Sequence, residues 1–234
     1  MHNATITKNT IIAHNIHKIE AKIDASTPCT FIAGQFVMVN IPNGDETVPR
    51  AFSFGHDCSD PTKIVWYVKI LEDEGTGPHY ASPYFKNCKP GDTLTFDAPA
   101  GRMTLPTELP EHILFIATTT GIAPFLSMLH EITQRKPDQN VQVIFGCRNK
   151  KDIFAQEELT KLSAKLPNLK VTTALSKPLD DWKGARGRTT DHLAGVPNNA
   201  LTYLCGNKHM IIDARKKLTT QGHNPTNIKF EIFY

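Results

Sequence analysis

Ile113-Leu114-Phe115-Ile116-Ala117-Thr118-Thr119-Thr120-Gly121-Ile122-Ala123-Pro124 is the stretch on which the reading of this chain turns. Ile113 to Ala117 is a short unbroken apolar run, the pattern of a strand buried on both faces. Small residues and a glycine follow, and Pro124 stands where a helix opens that the spacing carries to Gln134. A strand that hands over to a helix through such a loop is the first half of a parallel crossover.

The chain beyond it repeats the alternation. Strands are expected over Val141 to Phe145, Leu169 to Leu175, Thr202 to Cys205 and Ile228 to Ile232, with helices over Gln156 to Leu166, Thr190 to Leu193 and Lys208 to Thr220 between them. That order predicts an α/β doubly wound parallel sheet. Residues 5 to about 100 read differently, as β-branched and aromatic runs cut by turn residues. The clearest runs are Thr30-Phe31-Ile32, Phe36 to Val39, Ala51 to Phe54, Ile64 to Lys69 and Thr93 to Phe96, parted by Gly34, Pro42-Asn43-Gly44, Gly75-Thr76-Gly77-Pro78 and Pro90-Gly91-Asp92. They predict a small antiparallel β-barrel or sandwich, with one short helix where Ser82 precedes Pro83. The change of texture divides the chain into an antiparallel unit over 1–106 and an α/β unit over 107–234.

Composition narrows the function classes. A formal charge of +3 over 234 residues, evenly spread, argues against a nucleic-acid protein. Cys29, Cys58, Cys88, Cys147 and Cys205 lie far apart with no Cys-x-x-Cys pair, so neither a disulfide framework nor a metal or iron-sulfur site is expected. A reducing cytoplasm fits that usage. No apolar run reaches the length of a membrane span and the N-terminus lacks a leader pattern, so a soluble, unprocessed protein is expected; a monomer is expected without a specific sequence feature behind it. No Gly-x-Ser-x-Gly elbow, phosphate-binding Gly-x-x-x-x-Gly-Lys loop or His-x-x-x-His pair is present, which removes hydrolase and nucleotide-triphosphatase readings. Glu72-Asp73-Glu74 reads as a solvated hairpin tip.

Open parallel sheets bind ligands beyond the carboxyl ends of their strands. Loop 117–124 presents backbone N–H groups at a helix start, which attract a pyrophosphate, although a plain strand-to-helix turn has the same spacing. In Cys205-Gly206-Asn207 the glycine permits close approach of a planar ring and the thiol is expected at the loop mouth, while a free cysteine is also commonly a small core hydrophobe. Ser176, Lys177 and the cluster Arg186-Gly187-Arg188 suit a 2′-phosphate, which would favour NADPH over NADH, although loop cations are also commonly just solvated. In the first unit, Pro49-Arg50-Ala51-Phe52-Ser53-Phe54 puts Arg50 and Phe52 on one face of a strand and Ala51 and Ser53 on the other. Arg50 can grip a phosphate, Phe52 can stack on a flat ring, and Ser53 can reach a ring edge. The same four residues also suit an ordinary half-buried strand.

Collected in order, these motifs resemble the ferredoxin-NADP reductase superfamily over nearly the whole chain, and among its members the bacterial ferredoxin or flavodoxin reductases. Ala33-Gly34-Gln35-Phe36 is similar to the segment leading into the flavin site, and Arg50-Ala51-Phe52-Ser53 to the Arg-x-Tyr/Phe-Ser signature. Tyr67-Val68-Lys69 resembles the next flavin-binding strand, and Gly77 to Ser82 the loop whose serine caps a helix facing the pyrophosphate. Thr120 to Pro124 resembles the nicotinamide loop, Gly146-Cys147-Arg148 its Gly-x-Arg, and Cys205-Gly206-Asn207 its Cys-Gly-x. Thr118 and Thr119 depart from the pattern, standing where the family commonly has glycines. Phe230-Glu231-Ile232-Phe233-Tyr234 resembles the aromatic ending of the bacterial group.

By this resemblance Arg50 contacts the FAD pyrophosphate, Phe52 packs on the flavin and Ser53 bonds near its N5. Thr120, Gly121 and Gly206 would meet the nicotinamide, Phe233 or Tyr234 would cover the flavin, and Glu231 would be a proton partner. The implied activity is hydride transfer from NADPH, or NADH, to FAD, followed by single electrons to ferredoxin or flavodoxin, with Ser53, Cys205 and Glu231 tuning the hydride step. A flavin reductase releasing reduced flavin, an oxygenase reductase component and a flavin electron-transfer subunit without nicotinamide activity are the alternatives.

Overall fold

The computed structural model describes residues 1–71 and 81–233. The Glu72-Asp73-Glu74 cluster, the Gly75 to Pro78 turn, Gly77 and Tyr234 lie outside the described residues. In the first half β1 (His2–Ala13), β2 (Ile16–Ile23), β3 (Phe36–Asn43), β4 (Glu46–Ser53), β5 (Lys63–Lys69) and β6 (Thr93–Phe96) form an antiparallel sheet in the order β4-β3-β6-β1-β2-β5, with α1 (Ala81–Asn87) inserted between β5 and β6. Its core is built from Val37, Val39, Phe54, Trp66, Phe85 and Phe96. The expected strand at Thr30-Phe31-Ile32 is absent. There the chain turns tightly, with the Ile32 N–H donating to Gln35 Oε1 at 2.9 Å, and Phe31 serves as a core plug stacked on Phe54 at 3.9 Å between ring centres.

The two ends of this sheet, β4 and β5, curl towards each other. They are joined where the Gly55 N–H donates to the Val65 carbonyl at 3.0 Å, just past the end of β4, and the rings of Phe52 and Trp66 meet at 6.1 Å. Pro49 sits within β4, which an edge strand tolerates because its missing N–H is not owed to a neighbour. The barrel is thus closed at one point and open along the rest of one seam.

The second half carries β7 (His112–Thr118), α2 (Ala123–Arg135), β8 (Asn140–Cys147), α3 (Gln156–Lys165), β9 (Leu169–Leu175), the two-residue β10 (Ala185–Arg186), β11 (Leu201–Asn207), α4 (Lys208–Thr220) and β12 (Ile228–Phe233). All pairs are parallel, in the order β10-β9-β8-β7-β11-β12. The sheet grows outward from β7 in one direction and then restarts on its other side with β11, so the strand order reverses between β7 and β11. The helix expected over Thr190 to Leu193 is a single 3₁₀ turn, Thr189–His192.

The halves share one apolar core. Ala33, Tyr67, Met103 and Leu105 from the first pack with Phe115, Ala123, Phe125 and Met128 from the second, and the Tyr67 ring meets Phe154 at 5.5 Å. The segment before β7 is strapped down by Arg135, which donates to the carbonyls of Pro106 and Thr107, and by the Tyr203 hydroxyl, which donates to the Thr104 carbonyl at 2.9 Å. Phe115 sits at the centre, stacked on Phe125 at 4.7 Å and tilted against Tyr203 at 5.4 Å. Replacing Phe115 with Ala is expected to lower stability by about 3–5 kcal/mol, because the close-packed neighbours cannot collapse into the space, and urea unfolding measures it.

Candidate functional site

The open seam between β4 and β5 is a cleft of ≈ 670 Å³. Successive residues from Pro49 to Ser53 line one side of it, and Tyr67, Val68 and Lys69 line the other. Successive side chains still alternate between the two faces, but both strands are sheet edges, so a cleft that runs along the open edge takes residues of either face. Ser82, Thr120, Gly206 and Phe233 complete the walls, so Arg50, Ala51, Phe52, Ser53, Tyr67, Val68 and Lys69 converge with them on one space. Phe52 is held edge-on by Phe85 at 5.2 Å.

Among the described residues of this wall, one fully buried side-chain polar atom lacks a partner. Ser53 is 4% exposed and its buried hydroxyl has no hydrogen-bond partner. A buried hydroxyl left unpaired is costly, so its position beside a cleft fits a ligand that bonds to it. The residues therefore suit a flavin dinucleotide: an edge cation in Arg50, an aromatic in Phe52, an unpaired hydroxyl in Ser53, and Ala123 at the N-terminus of α2, where helix N–H groups favour phosphate.

A second cleft of ≈ 390 Å³ opens beyond the carboxyl ends of β7, β8 and β9. Ser176, Lys177, Arg148 and Arg188 bring a hydroxyl and three cations into its wall, together with Thr118, Thr119, Asn207 and Asp213. Arg186 points elsewhere: its guanidinium donates to the carbonyls of Leu179, Asp180 and Trp182 at 3.0–3.2 Å. Arg188, two residues on and outside the short β10, stands where Arg186 was expected. Arg148 was visible only as the last residue of Gly146-Cys147-Arg148. Thr119 and Asn207 line both clefts, so the two spaces meet at this pair.

The junction is held by close backbone approach. A Cβ on Gly121 would lie 2.6 Å from the Cys205 carbonyl carbon and 2.8 Å from the Gly206 nitrogen, and the Asn207 N–H donates to Thr118 Oγ1 at 3.0 Å. Gly121 is therefore needed for packing of loop on strand. Between them Thr119 adopts φ +50°, a left-handed conformation that a β-branched residue holds at a cost of roughly 1–3 kcal/mol.

Two expected placements are corrected. The Cys205 thiol is not at a loop mouth: β11 runs on to Asn207, leaving Cys205 inside the strand and 0% exposed, and burial followed by the charge of Glu231 pushes the thiol well above its usual range. Ser82 does not precede its helix. It lies in the first turn of α1, and its hydroxyl accepts from the Leu71 N–H at 2.9 Å, tying the end of β5 to the helix. Glu231 faces the seam between the halves near Phe36 and Gly101, outside the flavin-side cleft, and burial raises its carboxyl to about 7.

Comparison with known proteins agrees with this architecture. Residues 3–105 match the family described as oxidoreductase FAD-binding domain, and residues 115–216 match the oxidoreductase NAD-binding domain. The anthranilate 1,2-dioxygenase electron transfer component of Acinetobacter baylyi is 28% identical, covering 87% of this chain and 58% of that protein. Ferredoxin-NADP reductase B of Sorangium cellulosum is 29% identical, covering 77% of this chain and 76% of its own length. A ferredoxin NADP+ reductase from Neisseria gonorrhoeae, solved with FAD and NADP, superposes with a TM-score of 0.83 at 23% identity over 99% of this chain and 98% of that one. The chain spans 58–59% of the length of the dioxygenase and phenol monooxygenase electron-transfer relatives. It belongs to the ferredoxin-NADP reductase superfamily of flavoprotein oxidoreductases, with an FAD-binding domain followed by a nicotinamide-dinucleotide-binding domain. Among the described residues no helix is long and apolar enough to cross a membrane.

Glu231 provides a pH signature. A carboxyl with a higher pKa folded than unfolded contributes stability that is full below its ordinary value of 4.5 and is lost as pH rises through about 7. His56, buried and lowered to about 4, acts in the opposite sense over an overlapping range, since it must charge as pH falls. The expected result is that the stability difference between the parent protein and Glu231→Gln falls from pH 4.5 to about 7 and then levels, as measured by chemical denaturation at each pH.

Proposed function

We propose that this chain is an NADPH-dependent flavoprotein reductase that passes electrons one at a time to a ferredoxin or flavodoxin. The observation that carries the reading is the meeting of the two clefts at Thr119 and Asn207, with the unpaired Ser53 hydroxyl in the wall of the flavin-side cleft. When bound, the nicotinamide supplies a hydride, and the flavin accepts it and releases its electrons singly.

The protein's part is placement. Arg50 and the N-terminus of α2 would hold the flavin's phosphates, Phe52 and Phe233 would flank its ring, and the Ser53 hydroxyl would donate to the ring edge. Lys177, Arg188 and Ser176 line the second cleft and would hold a 2′-phosphate there, which would leave the nicotinamide end directed to the junction at Thr119 and Asn207. Cys205 and Glu231 line neither cleft, so any influence they have on the flavin side is indirect. The division of labour is an FAD unit over 1–106 and a nicotinamide unit over 107–234. A cytoplasmic, monomeric protein fits this use.

A second reading, reductase component of an oxygenase, is favoured by the 27–28% identity over 87–90% of this chain shared with three oxygenase electron-transfer proteins. In anaerobic stopped-flow, NADPH should bleach the bound flavin faster than NADH, and ferredoxin or flavodoxin should then restore its colour. Bleaching with no reoxidation by either carrier favours the oxygenase reading, while no bleaching with either nucleotide overturns both.

Two substitutions test the assignments. Ser53→Ala should retain FAD through purification but slow its reduction roughly 10²-fold, through loss of an oriented donor, and unchanged reduction would remove Ser53 from the step. The pair Lys177→Ala and Arg188→Ala should weaken 2′,5′-ADP binding by about tenfold or more while leaving 5′-ADP binding unchanged, in titrations followed by flavin absorbance.

A further inference from the structure

Thr119 combines two features that occur together nowhere else among the described residues. It is a β-branched residue at positive φ, and it lines both clefts at the point where they meet. Asn15 and Ala155, the other two non-glycine residues described at positive φ, line neither cleft. The neighbours hold Thr119 in place. Thr118 is bonded to the Asn207 N–H, and the strand end at Cys205-Gly206 is packed against Gly121, so the loop cannot relax by shifting. A glycine would adopt this backbone without penalty and would leave the passage wider by a whole side chain. The bulk of the threonine is therefore placed where a dinucleotide reaching from the cationic cleft to the flavin must pass.

We propose that the Thr119 side chain sets how deeply the nicotinamide end of the dinucleotide enters the flavin-side cleft, so that this chain holds its nucleotide mainly by the phosphate-bearing end. This rests on the functional reading above. It predicts a split in affinity: 2′,5′-ADP, which ends short of the junction, is indifferent to residue 119, whereas NADP+, which carries the nicotinamide, is not.

The test compares the parent protein with Thr119→Gly and Thr119→Asn, all carrying FAD. Asparagine tolerates the left-handed backbone and keeps a side chain in the passage, so it removes strain without opening the way. Thr119→Gly should tighten NADP+ binding by about tenfold relative to 2′,5′-ADP, the scale set by removing a small group from a fitted pocket, and should add a long-wavelength absorbance band on binding as the rings come into contact. Thr119→Asn should match the parent in the NADP+ to 2′,5′-ADP ratio, with a melting temperature no lower than the parent's. If Thr119→Gly leaves that ratio and the spectrum unchanged while 2′,5′-ADP still binds, the proposal is overturned and the functional reading stands. If Thr119→Asn tightens NADP+ as much as glycine does, strain and not bulk is the cause, and the proposal is again overturned. If 2′,5′-ADP and NADP+ fail to bind any of the three proteins, the functional reading falls and the inference falls with it.

Discussion

Unpaired backbone along a sheet edge is the constraint from which this molecule's organisation follows. β4 and β5 are the two edges of one antiparallel sheet, and the Gly55 N–H joins them by donating to the Val65 carbonyl just past the end of β4. Beyond that bond the edge strands offer N–H and C=O groups that no neighbouring strand satisfies, and an open edge must be covered, charged or occupied. Here it is lined by Arg50 and Lys69, backed by Phe52 and Tyr67, and supplied with the fully buried, unpartnered hydroxyl of Ser53. An elongated ligand with a flat ring and phosphates answers each of those features, and a closed barrel would have left no room for it.

The second sheet then brings a nucleotide to the same place. Its strand order reverses between β7 and β11, and the loops leaving those two strands cannot cover each other, which is why open α/β sheets bind at such a point. Gly121 and Gly206 let these loops approach within backbone contact, so the cationic cleft ends against the flavin-side cleft at Thr119 and Asn207. The shared core around Tyr67, Phe115 and Met128 keeps the two halves in register. Proximity between two bound rings is thus built from packing, before any particular side chain acts.

The parallel half was legible because buried strands are unbroken apolar runs and its helices carry clear starts: Leu169–Leu175 and Lys208–Thr220 fall at the expected residues. Thr30-Phe31-Ile32 misled because an aromatic in a β-branched neighbourhood looks the same whether it lies in a strand or plugs a core from a turn. The convergence of Arg50 to Ser53 posed a geometric difficulty in the sequence, since alternation sends neighbours to opposite faces. It disappears once β4 is an edge strand, a fact that pairing order decides and local pattern does not reveal. Arg186 and Arg188 could not be told apart from spacing, because which guanidinium turns back onto carbonyls depends on the loop between Leu179 and Trp182. Cys205 was misplaced because β11 runs two residues further than its apolar run, hiding a thiol that the motif alone set at a mouth.

The central claim, that the open seam between β4 and β5 is the flavin site, is tested most directly by amide hydrogen exchange on the protein with and without FAD. Exchange should slow on binding at residues 50–53 and 67–69 together, and at the loop 119–123, with little change at the outer strands β9 and β10. Protection confined to the carboxyl ends of β8 and β9, with residues 50–53 and 67–69 exchanging as before, would contradict it.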